Sequence, residues 1–239
     1  MTIVQQIERI PAVLQAAAEA EQLIRLGIPP GLPHRWFKAF RAALDQSAPH
    51  LELSLHEATS EQQRRRLQQG TIDIGLIHLQ PPELHSQLVL TQQFGCAAPP
   101  TSPLANRQRI TWHDLDGLRV MAHSRQENPR EEVQLQAAAD AAGVQITWIL
   151  RSFSEHSALI ADSVDAQAVM MSEASARRHF PTWRWLPMDR AHDIDAAVNT
   201  WAVWLDPDLH GLPEVRGAMA AATTHTRRFY PVAGVMQTW

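Results

Sequence analysis

Apolar and polar positions change period along the chain. Between Ile3 and Ala17 the apolar residues Ile3, Ile7, Ile10, Leu14 and Ala17 fall on one helical seam. Pro11 interrupts the seam. Proline lacks the N–H an interior turn needs but suits a first turn, so a helix is expected to begin near it, with the preceding residues as a separate or kinked piece. Such a seam serves a helix packed on its own domain as well as a dimerising one.

From residue 22 onward strand and helix signals alternate. Residues 23–28 read as a strand and residues 29–33, with three prolines and Gly31, as a turn. Trp36, Phe37, Phe40, Ala43 and Leu44 recur at helical spacing over residues 34–47. Leu51, Leu53 and Leu55 alternate with polar residues. Thr59 or Ser60 caps a polar helix that Gly70 closes, and residues 72–77 form a third strand. A second set follows: a long strand over 87–97, a short helix at 112–115 under Thr111, a strand at 118–122, a helix at 129–143 and a strand at 144–150. A helix at 155–163 after Ser152 and Ser154, a strand at 168–171, a helix at 173–179, a strand at 198–205 and a helix at 213–228 complete it. Strands and helices in alternation with short connections imply parallel sheets with right-handed crossovers, and hence an α/β chain of two units.

At 239 residues the chain has room for one large domain or two small ones. Its formal charge of −4, with twelve His counted neutral, argues against a surface that grips DNA as a whole. The basic run Arg64-Arg65-Arg66 reads as a solvated helix face, and the chain alone is expected not to bind DNA specifically. Cys96 is the single cysteine, so neither an internal disulfide nor a cysteine-based zinc site is possible, and a reducing, cytoplasmic home is expected. The first residues carry no basic segment leading into an apolar run, and no stretch is long enough for a membrane span.

The motifs of dinucleotide and P-loop phosphate binding are missing, as are H-E-x-x-H and G-x-S-x-G. The pairs His78/His85 and His50/His56 have no carboxylate at ligand spacing, so no metal and no cofactor are expected. Ser154, Glu155 and His156 are adjacent, point apart on a helix and make no nucleophile–base pair by themselves. No catalytic constellation is found. What recurs is a strand, a turn and a helix whose first turn is rich in Gly, Pro, Ser or Thr. Helix N-termini present unpaired N–H groups and the positive end of the dipole, and several converging beyond the strand ends make a seat for an anion.

The run Leu26-Gly27-Ile28, Leu32-Pro33, Phe40, Pro49, Leu51-Glu52-Leu53, Glu57-Ala58-Thr59, Leu67 and Gly70-Thr71-Ile72-Asp73-Ile74-Gly75-Leu76 resembles the opening of the effector-binding domain of LysR-type transcriptional regulators. Pro103-Leu104-Ala105 and Ile110-Thr111-Trp112-His113-Asp114-Leu115 resemble its middle, and the likeness covers about residues 23–228. Where the family often has a glycine-rich stretch before its late strand, residues 161–167 have none.

The resemblance implies a type 2 periplasmic-binding-protein-like fold: two Rossmann-like α/β subdomains joined by two crossing strands, with the ligand in the cleft between them. Subdomain I is expected at 23–95 and 199–230, subdomain II at 96–198, the end of a linker helix at 1–22 and a tail at 231–239. The family's ligand contacts map onto Gly31, Leu32 and Pro33, onto Thr59 and Ser60, onto His78, onto the loop His123-Ser124-Arg125-Gln126, and onto Phe153 and Ser154. A small anionic effector, a carboxylate above all, and a homo-oligomer, dimer or tetramer, are the implied partners. DNA would be reached only through a winged helix-turn-helix that this chain does not contain. Trp36, Phe37 and Phe40 offer an apolar face for a dimer or for the chain's own core. The alternative is a solute-binding protein of a transport system, which shares the architecture and would need export.

Overall fold

The structure, a computed structural model, describes residues 22–78, 80–123, 129–189 and 197–227. The first α/β unit runs β1 (Gln22–Ile28), α1 (His34–Ser47), β2 (Leu51–Glu57), α2 (Ser60–Gln68) and β3 (Ile74–Ile77). A long strand, β4 (His85–Ala98), leads through a 3-10 turn (Trp112–Leu115) to β5 (Arg119–His123), α3 (Pro129–Ala141), β6 (Thr147–Arg151), α4 (Ser157–Ser163), β7 (Ala168–Ser172), α5 (Glu173–His179) and β8 (Arg184–Pro187). The chain returns through β9 (Ala197–Trp204) to α6 (Leu212–Arg227).

In the first unit β1 lies between β2 and β3 and is parallel to both; in the second β5 lies between β6 and β7 and is parallel to both. The two sheets are joined through β4. Its first part, His85 to Gln93, pairs antiparallel with β9, which in turn pairs with β3. Its last part, from Phe94 on, pairs with β7 and β8. Two parallel sheets with β4 and β9 crossing between them match the two-subdomain architecture that the sequence resemblance implies.

Both faces of each sheet are covered, so the inner strands carry apolar runs rather than alternation. All residues of β3 and β7 are buried. Ile74 and Leu76 face α1 and α6, whereas Ile77 packs with Leu67 and Val203 on the opposite side. In the second sheet Val120, Ala122 and Met170 meet Leu115, Leu135 and Leu186. Met121, Val169 and Met171 turn the other way, onto Phe180 and Ala161.

Trp36 and Phe40 are fully buried in the chain's own core, stacked at 5.6 Å, and the Trp36 indole donates to the Val89 carbonyl at 3.1 Å. Neither belongs to a dimer face. Phe37, half-buried, packs edge-on against Phe40.

Several boundaries differ from the sequence reading. The third strand begins at Ile74 rather than at 72, because Asp73 accepts from the Arg25 N–H at 2.7 Å and from its guanidinium at 2.5 and 3.0 Å. The helix expected from 155 begins at Ser157. The strand β8 was not foreseen; it is four residues long, ends in Pro187 and finds its register only against Gly95–Ala98 of β4. Of the expected linker-helix end only Gln22 is described, where it opens β1. The rest of that segment and the tail at 231–239 lie outside the described residues. No helix among the described residues is long and apolar enough to cross a membrane.

Candidate ligand-binding cleft

Where β4 passes from one sheet to the other, a cavity of about 90 Å³ opens between the two units. Its floor is apolar: Phe94 of β4, Met171 of β7 and Val198 of β9. One wall comes from the first unit, with Pro29 and Pro30 after β1, Thr59 and Ser60 at the head of α2, and His78 after β3. The facing wall comes from the second, with His123 at the end of β5, Phe153, Ser172, Ser175 and His179.

The head of α2 is built by a reciprocal cap. The Thr59 hydroxyl accepts from the Gln62 N–H at 3.4 Å, and the Thr59 N–H donates to the Gln62 side chain at 3.1 Å. The Ser60 hydroxyl accepts from the His78 N–H at 3.2 Å and so ties the helix to the end of β3. Both hydroxyl oxygens act here as acceptors, and a hydroxyl that accepts still has a proton to give. Beneath them Gln63 is fully buried, and its amide donates to the Ala58 carbonyl at 2.8 Å.

Three imidazoles line the cavity. His78 Nδ1 lies 3.3 Å from the Thr200 hydroxyl. Burial above all, and then the neighbouring His123, push its pKa down to about 4 against the opposing pull of the Asn199 and Pro30 carbonyls, so the ring is neutral at pH 7. The His123 ring rests on Phe153 at 3.9 Å, and Phe153 reaches the His179 ring at 6.2 Å. His179 is buried, and its Nδ1 lies 2.9 Å from the Ser154 carbonyl. A carbonyl only accepts, so that nitrogen carries the proton. Burial holds the His179 pKa below its ordinary value, with Arg178 and His123 acting in the same sense and the Ser154 bond and Glu57 opposing.

Of the expected contacts, Thr59, Ser60, His78, His123 and Phe153 are brought together in the wall. Gly31, Leu32, Pro33 and Ser154 are not. Gly31, at φ +79°, packs so closely on the second unit that a Cβ there would meet Ser175 Oγ. Leu32 packs on the core of the first unit, and Pro33 is the buried residue before α1. The Ser154 turn closes on Ser157: the Ser154 N–H donates to the Ser157 hydroxyl and that hydroxyl donates to the Ser154 carbonyl, both at 2.7 Å. Ser124, Arg125 and Gln126 lie outside the described residues.

Ser172, Ser175 and His179 were missed. Ser172 caps α5, accepting from the Ser175 N–H at 3.3 Å, and a serine ending an apolar strand three residues before another serine was a usable signal. His179 had none; it reaches the cavity because α5 turns its last residues back under Phe153. Between the two units Arg178 on α5 donates to Glu57 at the end of β2 at 2.8 Å. Among the described residues the cavity wall holds no Lys, Arg, Asp or Glu, and no group of three potential metal ligands comes together.

The family model described as LysR substrate binding domain matches residues 17–204. The chain belongs to that family. Similar to it is the probable cat1 operon transcriptional activator of Acinetobacter lwoffii, 26% identical over 62% of this chain and 50% of that protein. A second relative is the HTH-type transcriptional regulator AlsR of Bacillus subtilis (strain 168), 29% identical over 42% of this chain and 34% of the regulator. The chain therefore matches half or less of the length of these curated relatives. Among solved structures, the BenM effector binding domain with its effector benzoate superposes with a TM-score of 0.69 at 14% identity, covering 92% of this chain and all of that one. At that identity the likeness shows the fold. The relatives are transcriptional regulators, so the transport reading is not favoured.

Proposed function

We propose that this chain is the effector-sensing domain of a LysR-type transcriptional regulator and that its effector is a small carboxylate held in the cleft. The observation that carries the reading is the lining itself: the hydroxyls of Thr59 and Ser60, with His78 on the same wall, face the imidazoles of His123 and His179 across an apolar floor. Charge-assisted hydrogen bonds from hydroxyl and imidazole donors suit a carboxylate head, and Phe94, Met171 and Val198 suit an apolar body. At about 90 Å³ the cavity is below the roughly 300–1,000 Å³ of pockets for drug-sized ligands, which favours a ligand of few atoms. Benzoate is the effector of the structurally similar BenM domain, and it is a carboxylate of this kind.

The subdomains are then residues 23–95 with 199–230 and residues 96–198. Effector binding across them biases their relative position, and this is passed to the partner subunit of a dimer or tetramer and to the winged helix-turn-helix through which DNA is reached. The protein works in the cytoplasm and catalyses no reaction. Thermal-shift measurement with paired ligands, acetate against acetamide and benzoate against benzamide, tests the reading. A ligand that binds only the folded state raises the melting temperature, so at least one acid is expected to raise it and its amide to leave it unchanged. Equal effects of acid and amide overturn the carboxylate.

A further inference from the structure

The cleft places three imidazoles from three separate elements around one small cavity, and their settings differ. His78 is enclosed by the Thr200 hydroxyl and the carbonyls of Asn199 and Pro30. The His123 ring packs against Phe153, with centroids 3.9 Å apart and planes tilted by 42°. The His179 ring is held at one nitrogen, Nδ1, by the Ser154 carbonyl at 2.9 Å. In the neutral ring Nε2 is then a bare lone pair, the wrong polarity for a carboxylate; with a proton added it becomes a donor.

The groups around His179 come from both sides of the cleft. They are the Ser154 carbonyl and Phe153 from the loop before α4, His123 from β5, Arg178 on its own helix and Glu57 from β2. Arg178 is already paired with Glu57, so this pair brings little net charge to the ring.

We propose that His179 is an anion-binding residue that acts in its protonated form, so that a carboxylate enters the cleft together with one proton. The assignment rests on the carboxylate reading above and names the residue that reads the charge. Burying a carboxylate among neutral groups is costly, and a proton taken from solvent onto Nε2 turns that arrangement into an ion pair held by a hydrogen bond. The proton goes from bulk water to Nε2; no bond of the ligand changes. By linkage, uptake of one proton makes binding tighter as pH falls. A neutral analogue gains nothing.

Calorimetry with formate, acetate and benzoate, in two buffers of different ionisation enthalpy, measures both affinity and proton uptake. Wild-type chain is expected to bind at least one of these acids about tenfold or more tightly at pH 6 than at pH 8, with about one proton taken up. His179→Asn keeps a donor for the Ser154 carbonyl and cannot titrate; it is expected to lose the uptake and the pH dependence. His179→Gln serves as the second variant, and the nitrogen chemical shifts of the imidazoles in the wild-type chain, with and without acid, locate the proton without any substitution. Equal affinity at both pH values overturns the proton coupling and leaves the carboxylate reading standing. Uptake that persists in His179→Asn, or a chemical shift change confined to another ring, overturns the assignment to His179. No binding of any acid at either pH overturns the carboxylate reading and this inference with it.

Discussion

The two halves of the molecule are built on the same order, β2-β1-β3 and β6-β5-β7, and each sends a loop rich in hydroxyl side chains from its second strand into its second helix. The outcomes differ. In the first half Thr59 and Ser60 accept hydrogen bonds from backbone N–H groups and stay in the cavity wall. In the second, Ser157 both donates to and accepts from Ser154, and α4 starts with no side-chain cap. The polar wall there is supplied by the next helix, α5, through Ser172, Ser175 and His179. A serine before a helix is thus a sign of a helix start, and whether it also lines a cavity depends on which helix the fold brings there, since the Ser154 hydroxyl accepts from a backbone N–H just as those of Thr59 and Ser60 do.

The largest difference between the halves is expected in their tolerance of added volume. A Cβ on Gly95 would lie 2.2 Å from the Leu186 carbonyl oxygen and 3.0 Å from Pro187 Cα, both backbone atoms of β8. On Gly27 it would lie 2.6 Å from Gln63 Oε1, the tip of a side chain. Gly95→Ala should therefore lie at or beyond the upper end of the roughly 1–3 kcal/mol typical of overpacking, and Gly27→Ala near the lower end. Urea denaturation of the two variants measures this. The reverse ranking would mean that β8 yields more easily than the Gln63 amide.

The pH dependence of stability sharpens the contrast at His78. Its pKa in the folded chain, about 4, lies below the roughly 6.5 of an exposed imidazole. A base with a depressed folded pKa adds stability that is fully present above the unfolded value and is lost as pH falls towards the folded one. Wild-type stability is expected to fall between about pH 6.5 and pH 4. In His78→Asn that slope should be shallower, as read from urea midpoints across the range. An unchanged slope would assign the titration elsewhere, first to His179 in the other half, whose pKa burial also lowers.

The two hydroxyl turns can be set against each other directly. Thr59→Ala removes a helix cap, which costs about 0.5–2 kcal/mol. By the proposal it also removes a carboxylate donor, so affinity for the best acid should fall about tenfold, the equivalent of about 1.4 kcal/mol. Ser154→Ala touches only the bond its hydroxyl accepts from the His156 N–H at 3.4 Å, and should leave affinity unchanged. Melting curves and calorimetry separate the two effects. Loss of stability without loss of affinity in Thr59→Ala would make that residue a cap and nothing more.

Much of the fold was legible because local and long-range signals agree. The alternation in Leu51, Leu53 and Leu55, the apolar β3 and β7, and the ordered residues that resemble LysR domains all lead to the same parallel units. Part of the cavity lining was legible through the resemblance, which points to Thr59, Ser60, His78 and His123 near strand ends, and these residues do line the cavity. What escaped depends on long-range pairing. β8 has its register from β4, where Ala97 pairs with Trp185 across 88 residues of sequence, and His179 enters the cleft only through the packing of α5 against Phe153. Trp36 and Phe40 show the converse: an apolar helix face alone does not tell a subunit interface from an internal one, and here α6 and β4 occupy it.

The smallest effect is expected at the one side-chain ion pair described between the halves near the cleft, Glu57 with Arg178. Both side chains are about half exposed, 47% and 49%, so the attraction is screened by solvent and such pairs are worth about 0.2–1 kcal/mol. Arg178→Gln should change stability by less than about 1 kcal/mol, and the change should shrink as salt is added. The two halves are held together more firmly by the continuous strand β4, by its pairing with β9 and by the close approach of Gly31 to Ser175. Acid affinity is therefore expected to stay within about twofold, which is well under the 1.4 kcal/mol of a tenfold change. If calorimetry instead showed Arg178→Gln losing tenfold or more in affinity with stability intact, the pair would be a strap that closes the cleft over its ligand, and the balance between the halves would be set at that pair rather than along β4.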